Sequence, residues 1–260
     1  MRRSTTKYLL SAGLLTFGSF ILTPSCAKND SSMFVVGAID IGATTCLAKA
    51  DTTDALLAGG TLDTAFTQSY TAFLLVGNQL TQQGSREQLR TETSRVSLRG
   101  AEVTLTDVGG GEIAGGHYST VGTGFVDASV GDAPSYGAMA VNVIPDGLLK
   151  RIQVPPVVLA KIRVFGNTLG GTSITSSELD FPITICEGCL VRYPAEDDDP
   201  TQPANSAYIC ATTASTTTTT TEAAPCLFGQ DQPFPCTACS ASVKLCLDPS
   251  QNPSYAPVTP

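Results

Sequence analysis

Tryptophan is absent from this chain, histidine occurs once, at His117, and charged residues fill only 15% of its 260 positions. One imidazole leaves a single candidate for histidine acid–base chemistry. Fifteen lysines and arginines stand against twenty-three acids, a net charge of −8. No basic face can be built from that balance, so no nucleic-acid partner is expected. Sparse charge beside 24 glycines, 16 prolines and abundant threonine excludes a helical bundle or a coiled coil. No amphipathic stretch of ten residues follows the helical period; residues 54–57 and 146–152 have room only for single helical turns.

Long apolar runs are scarce too. The one that stands out covers residues 8–22 (YLLSAGLLTFGSFIL), behind the cations Arg2, Arg3 and Lys7. A bilayer span takes about 20 residues, so this run reads as the apolar core of an export signal. Residues 1–25 are assigned as a signal peptide. Its removal leaves enough chain for a sizeable core and makes the product three charges more negative.

The segment Leu22-Thr23-Pro24-Ser25-Cys26-Ala27 resembles the lipobox of bacterial lipoproteins. That resemblance implies acylation of Cys26, which becomes the new N-terminus. Two or three acyl chains, at about 0.8 kcal/mol per buried CH₂, hold a protein on a membrane surface. The rival is ordinary cleavage after Ala27. The Arg2-Arg3 pair lacks the apolar residues that follow in a twin-arginine signal. Ala27 is compatible with outer-membrane sorting.

With Cys26 withdrawn, eight cysteines remain: Cys46, Cys186, Cys189, Cys210, Cys226, Cys236, Cys239 and Cys246. An even number in an exported chain implies disulfides. Seven of them lie in the last 75 residues, where bridges would staple a region unable to bury enough apolar surface alone. That odd seven sends Cys46 across to one of them, with Cys186 or Cys189 the leading choices. The pairs Cys186-x-x-Cys189 and Cys236-x-x-Cys239 have the ligand spacing of a zinc site. Forty-six residues separate them, against about 15–20 in zinc ribbons, and export favours oxidation. No metal and no cofactor is expected. Neither pair sits in the βαβ setting of a redox-active motif.

From residue 33 to about 193 the dominant hydrophobic period is two. Strands are expected at 34–39, 69–76, 95–106, 117–127, 136–144, 157–165 and 178–186, with 190–193 closing the set. Within 95–106 the inward residues are Val96 and Leu98, then Ala101, Val103 and Leu105; the parity change at Arg99-Gly100 predicts a β-bulge. Met139, Val141 and Val143 share one face, as do Val158, Ala160, Ile162 and Val164. In 178–186, Leu179, Phe181, Ile183 and Ile185 face inward, and Pro182 on the outward set argues for an edge position. Tyr70, Phe73, Phe125, Tyr136, Phe165 and Phe181 are read as core. The echo of LVGNQL (75–80) in VFGNTL (164–169) marks either equivalent strand ends in two halves or two unrelated turns.

These segments give an organisation: a 26–32 tether, a 33–195 β-sandwich domain, an acidic and Thr-rich 196–225 linker, a 226–247 Cys cluster and a disordered 248–260 tail. The fold expected is all-β and antiparallel, with a disulfide-rich, largely irregular C-terminal region.

Candidate chemistry is thin. A Ser–His–Asp site would have to use His117, yet Ala133-Pro134-Ser135-Tyr136-Gly137 lacks the first glycine of a nucleophile elbow. Gly109-Gly110-Gly111 and Gly122-Thr123-Gly124 have no strand-to-helix setting and are taken as loops. The acids 196–199 fit no calcium loop. Glu178 and Asp180 would flank a glycosidic bond only across a cleft. No catalytic residue is assigned.

The segments SYTAFLLVGNQL (69–80), VRYP (191–194) and GQDQPFPCTAC (229–239) resemble parts of uncharacterised predicted lipoproteins of myxobacterial type, a likeness covering residues 33–246. The spacing Tyr70-x-x-x-Leu74-x-Val76-x-Asn78, followed by paired alternating strands, is similar to desiccation-related and fibronectin-like sandwiches. That resemblance implies an immunoglobulin/fibronectin-like β-sandwich and carries no activity. The reading that follows is a non-enzymatic cell-envelope lipoprotein. It is a binding or adhesion module at the outer membrane, held to the membrane by its lipid anchor and meeting a protein or cell-surface partner. Competing readings are a structural subunit of an envelope complex and a secreted hydrolase. Replacing Cys26 by Ala is expected to move the protein from the membrane pellet to the soluble fraction; persistence in the pellet would refute the anchor.

Overall fold

The computed structural model describes residues 32–42, 45–85, 89–193, 225–238, 245 and 251–254. The signal peptide, Cys26, Cys210, Cys239, Cys246, the acids at 196–199 and the threonine run lie outside the described residues.

Period-two alternation produces strands, and twelve form among the described residues. They are β1 (Met33–Ile39), β2 (Leu56–Leu57), β3 (Gly60–Asp63), β4 (Tyr70–Asn78), β5 (Val96–Thr106), β6 (Glu112–Val126), β7 (Ser135–Ile144), β8 (Val157–Thr168), β9 (Ser173–Thr175), β10 (Leu179–Cys186), β11 (Val191–Arg192) and β12 (Phe234–Pro235). The chain is all-β. One sheet has the order β2-β1-β4-β7; the other runs β3-β10-β8-β5-β6, with β9 also on β8. β11 and β12 pair by themselves, in parallel.

The inward residues of both sheets meet in one core. Leu74, Val76, Met139, Val141 and Val143 come from the first sheet. Val96, Leu98, Ala101, Val103, Leu105, Val158, Ala160, Ile162, Val164, Phe181 and Ile183 come from the second. The register shifts between Leu98 and Gly100 against both neighbours of β5. The bulge therefore sits where the parity change in the sequence placed it. The two layers approach closely along β6 and β7. A Cβ at Gly137 would collide with the carbonyl oxygen of Phe125, so only glycine lets the backbones pass. Gly122 and Gly124, expected in a loop, lie inside β6 and serve the same crossing: a Cβ at either would press on β7.

The echoed segments are strand ends in different layers, β4 and β8, but with different surroundings. Asn78 is buried and donates to the carbonyls of Ser94 and Asp127 at 2.9 Å each, whereas Asn167 bonds Ser173 in solvent.

Several expectations are corrected. β10 is an interior strand over its second half, because the short β3 pairs with it in parallel from Ile183 to Cys186. Pro182 falls just before that register begins, so its missing N–H leaves no gap in the ladder. The pairing is therefore not wholly antiparallel. Residues 190–193 do not close the main sheets; they pair with β12 instead. Leu56 and Leu57 extend along β1 rather than turning helically. Of the six aromatics assigned to the core only Tyr70 and Phe181 are fully buried, and Phe125 is 55% exposed. Phe73 and Phe165 took the outward parity of their strands, which hydrophobicity alone cannot reveal. Within the tail expected to be disordered, Asn252 is buried and donates to the carbonyl of Gly188 at 2.8 Å.

Phe181→Ala is expected to cost about 3–5 kcal/mol in denaturant unfolding, while Val121→Thr, on a residue 86% exposed, should stay within about 0.5 kcal/mol. Equal losses would contradict this assignment of the core.

Candidate functional site

Two packed sheets cover each other's faces but leave their ends open. In this protein one end is closed by residues 226–236, which the sequence assigned to a separate cysteine cluster. The backbone of Asp63 and the side chains of Gln230 and Asp231 hold them there.

Asp63 ends β3 and is fully buried. Its carboxylate accepts the backbone N–H of Gly188 at 2.7 Å, Leu190 at 3.0 Å and Ala65 at 3.1 Å. Three donors satisfy a charge that would otherwise be costly away from water. Two of them belong to the turn closed by the Cys186–Cys189 disulfide. The same residue's backbone N–H donates to the carbonyl of Gly229 at 2.9 Å. Gln230 then imitates a paired strand: its amide nitrogen donates to the carbonyl of Thr71 at 3.2 Å and its amide oxygen accepts that residue's N–H at 3.1 Å.

Asp231 has a positive φ of 56° and accepts the N–H of Thr61 at 2.8 Å and the phenol of Tyr70 at 3.0 Å. Burial pushes its carboxyl above the ordinary range, the bonds from Thr61 and Tyr70 pull it back, and the charge of Asp40 adds to the rise. Burial, and then the charge of Asp231, holds the Tyr70 phenol neutral far above the usual tyrosine range. Around these polar contacts Phe66, Phe228 and Phe234 form a cluster with centroids 4.3 to 5.2 Å apart, extended by Leu190 and Val191.

Cys46 crosses to the C-terminal set as expected, but to a different member of it. Cys46 bridges Cys226, 180 residues away, not Cys186 or Cys189, which bond each other. A three-residue separation makes that local bridge the easier one to close. Cys236 is also in a disulfide, its partner lying outside the described residues. The Asp63 carboxylate and the sulfurs of Cys186 and Cys189 lie within 4.8 Å of one another. Such a set suits zinc only as thiolates, and here the sulfurs are joined to each other.

His117 stands on the outward face of the second sheet. Its Nδ1 is 2.8 Å from Thr104 Oγ1 and its Nε2 is 3.4 Å from a Glu102 carboxylate oxygen. This hydroxyl–imidazole–carboxylate row is open to solvent, the His117 side chain being 53% exposed. It has neither the serine nor the aspartate that a Ser–His–Asp site would require. On the same face Lys161 bridges Glu178 (3.1 Å) and Asp180 (3.3 Å), and Arg163 reaches Glu178 at 3.1 Å. The two carboxylates thus bind the cations of β8 across the strands, Asp180 from β10 and Glu178 from the residue just before it.

Sequence reasoning missed Asp63, Gln230 and Asp231. Gln230 and Asp231 lie within the GQDQPFPCTAC segment singled out by resemblance, but no pattern announced their partners, 159 to 170 residues away. Compared with known proteins, the chain matches no family model and no curated protein.

Because the folded-state carboxyl of Asp231 is raised, its contribution to stability is full below the ordinary carboxylate range and is lost as pH rises through the raised value. Asp231→Asn, which keeps an acceptor oxygen and tolerates positive φ, should therefore match or exceed the parent at neutral pH and lose that advantage in acid. Asp231→Ala orphans Tyr70 and should cost about 1–3 kcal/mol. Unfolding measured across pH checks both; an Asn variant weaker only at neutral pH would contradict the sign.

Proposed function

We propose that this chain is a non-enzymatic, lipid-anchored outer-membrane protein whose immunoglobulin/fibronectin-like sandwich presents a surface to a protein or cell-surface partner. The anchor rests on the lipobox-like segment ending in Cys26. The single observation that carries the binding role is the outward row of β6: His117, Ser119, Val121, Thr123 and Phe125 are all exposed at successive alternate positions.

Val121 is 86% exposed and Phe125 55% exposed. Arg95 lies over the Phe125 ring at 4.9 Å and pairs with Asp127 at 2.9 Å. An aromatic ring, a valine and an arginine together have the composition of an interface centre. Exposed apolar side chains grouped on one element are better explained by a partner than by chance. A row on a hydrogen-bonded strand, on a frame stapled by disulfides, keeps one geometry and so loses little freedom on association.

The test is photo-crosslinking in intact cells from Val121 and Phe125, with Thr184 on β10 as the control position. Discrete adducts from the two β6 positions and none from Thr184 are expected. Val121→Ser with Phe125→Ser should reduce capture at a third β6 position, Thr123, by about tenfold or more. Indiscriminate adducts at all positions, or none, would defeat the proposal.

A further inference from the structure

A recess of about 460 Å³ opens between the start of β6 and the loop that follows β7, within the size range of small-molecule sites. Its walls are Ala114, Tyr118, Pro145, Leu148 and Ile152, and its one charged residue is Arg151. The loop is held by turns in which Leu148 N–H donates to Pro145 at 3.1 Å and the N–H groups of Arg151 and Ile152 donate to Leu148 at 2.8 and 3.2 Å. Leu148 is buried and joins the main core, so the wall is anchored. The Tyr118 hydroxyl is spent on the carbonyl of Val143, which leaves its ring as an apolar surface. Gly115 has a φ of +78°, and a Cβ there would lie 3.2 Å from Ile152 Cγ2; the missing side chain keeps the recess open.

Arg151 is the cation of this loop that lines the recess. Lys161 and Arg163 are paired with acids, but Arg151 makes only an Nε bond to the carbonyl of Gly147, at 3.3 Å. That bond steadies the guanidinium, and no acidic partner engages its Nη groups among the described residues. Planar, paired donors of this kind fit a carboxylate. We propose that the recess is a binding site for a small amphiphilic monoanion. The alkyl or aryl body would lie against Tyr118, Leu148 and Ile152, and the carboxylate would bind Arg151. The site shares only Ser119 with the outward row of β6 and touches neither Val121 nor Phe125, and it does not rest on the envelope role proposed above.

The test is calorimetric titration of the purified full chain with octanoate, octanol and octylamine. Octanoate is expected to bind most tightly and octylamine least. Arg151→Gln, at an exposed position, should weaken octanoate by about tenfold and leave octanol unchanged. Ala114→Phe should fill the recess and abolish both; should that variant unfold on heating earlier than the parent, the Arg151→Gln comparison alone decides. No octanoate binding, equal affinity for octanoate and octylamine, or octanoate binding indifferent to Arg151→Gln would overturn the proposal.

Discussion

The buried carboxylate of Asp63 is the contact on which the closed end of the molecule depends. It fixes the turn of residues 186–190 through two N–H bonds, while its own backbone N–H holds Gly229. Without that charge the turn would point unpaired donors into the interior, and the Phe234 N–H, which donates to the carbonyl of Leu190 at 2.9 Å, would lose its seat. The rest of the closure is layered on this contact. Gln230 and Asp231 satisfy Thr71, Thr61 and Tyr70, and three phenylalanines fill the space around them. The Cys46–Cys226 bridge closes a separation of 180 residues, a constraint worth about 5 kcal/mol in chain entropy. Local hydrogen bonds and a long covalent loop thus act on the same few residues.

This arrangement divides the surface into parts with different chemistry. On the second sheet, the cations of β8 and the acids Glu178 and Asp180 neutralise one another, giving a hydrated face. Beyond it, β6 carries apolar side chains outward. Around the β7–β8 loop an apolar recess meets one arginine that has no acidic partner among the described residues. Rigid strands bear the proposed partner surface, and a turn pinned by Leu148 bears the proposed ligand site. Each therefore has a fixed background against which a bound molecule can be recognised at low entropic cost.

The fold was legible in proportion to how local its causes are. Alternation along 96–105 named all five inward residues and located the bulge, because a strand's two faces are written in consecutive side chains. Pro182 was legible as a missing donor but not as a neighbour of β3, since four residues with ordinary composition give no strand signal. The even count led to oxidation, which the described cysteines Cys46, Cys186, Cys189, Cys226 and Cys236 show; the partner of Cys46 did not follow from it. Cys46 reaches Cys226 only because residues 226–231 double back over the end of the sheets, a route set by Asp63 and Gln230.

By itself, then, the chain's order of residues determined an all-β architecture, the inward set of its long strands, the scarcity of acid–base groups and the presence of bridged sulfurs. Each of these depends on neighbours a few positions apart or on composition. Only the tertiary structure decided which aromatics face water, that β3 runs parallel to β10, and that Arg151 overlooks a recess. It alone decided that Asp231 meets Tyr70 across 161 positions. Such pairings arise when distant segments come together, and each hydrogen bond then offsets the cost of desolvating both of its partners. No stretch of the chain taken alone contains that event.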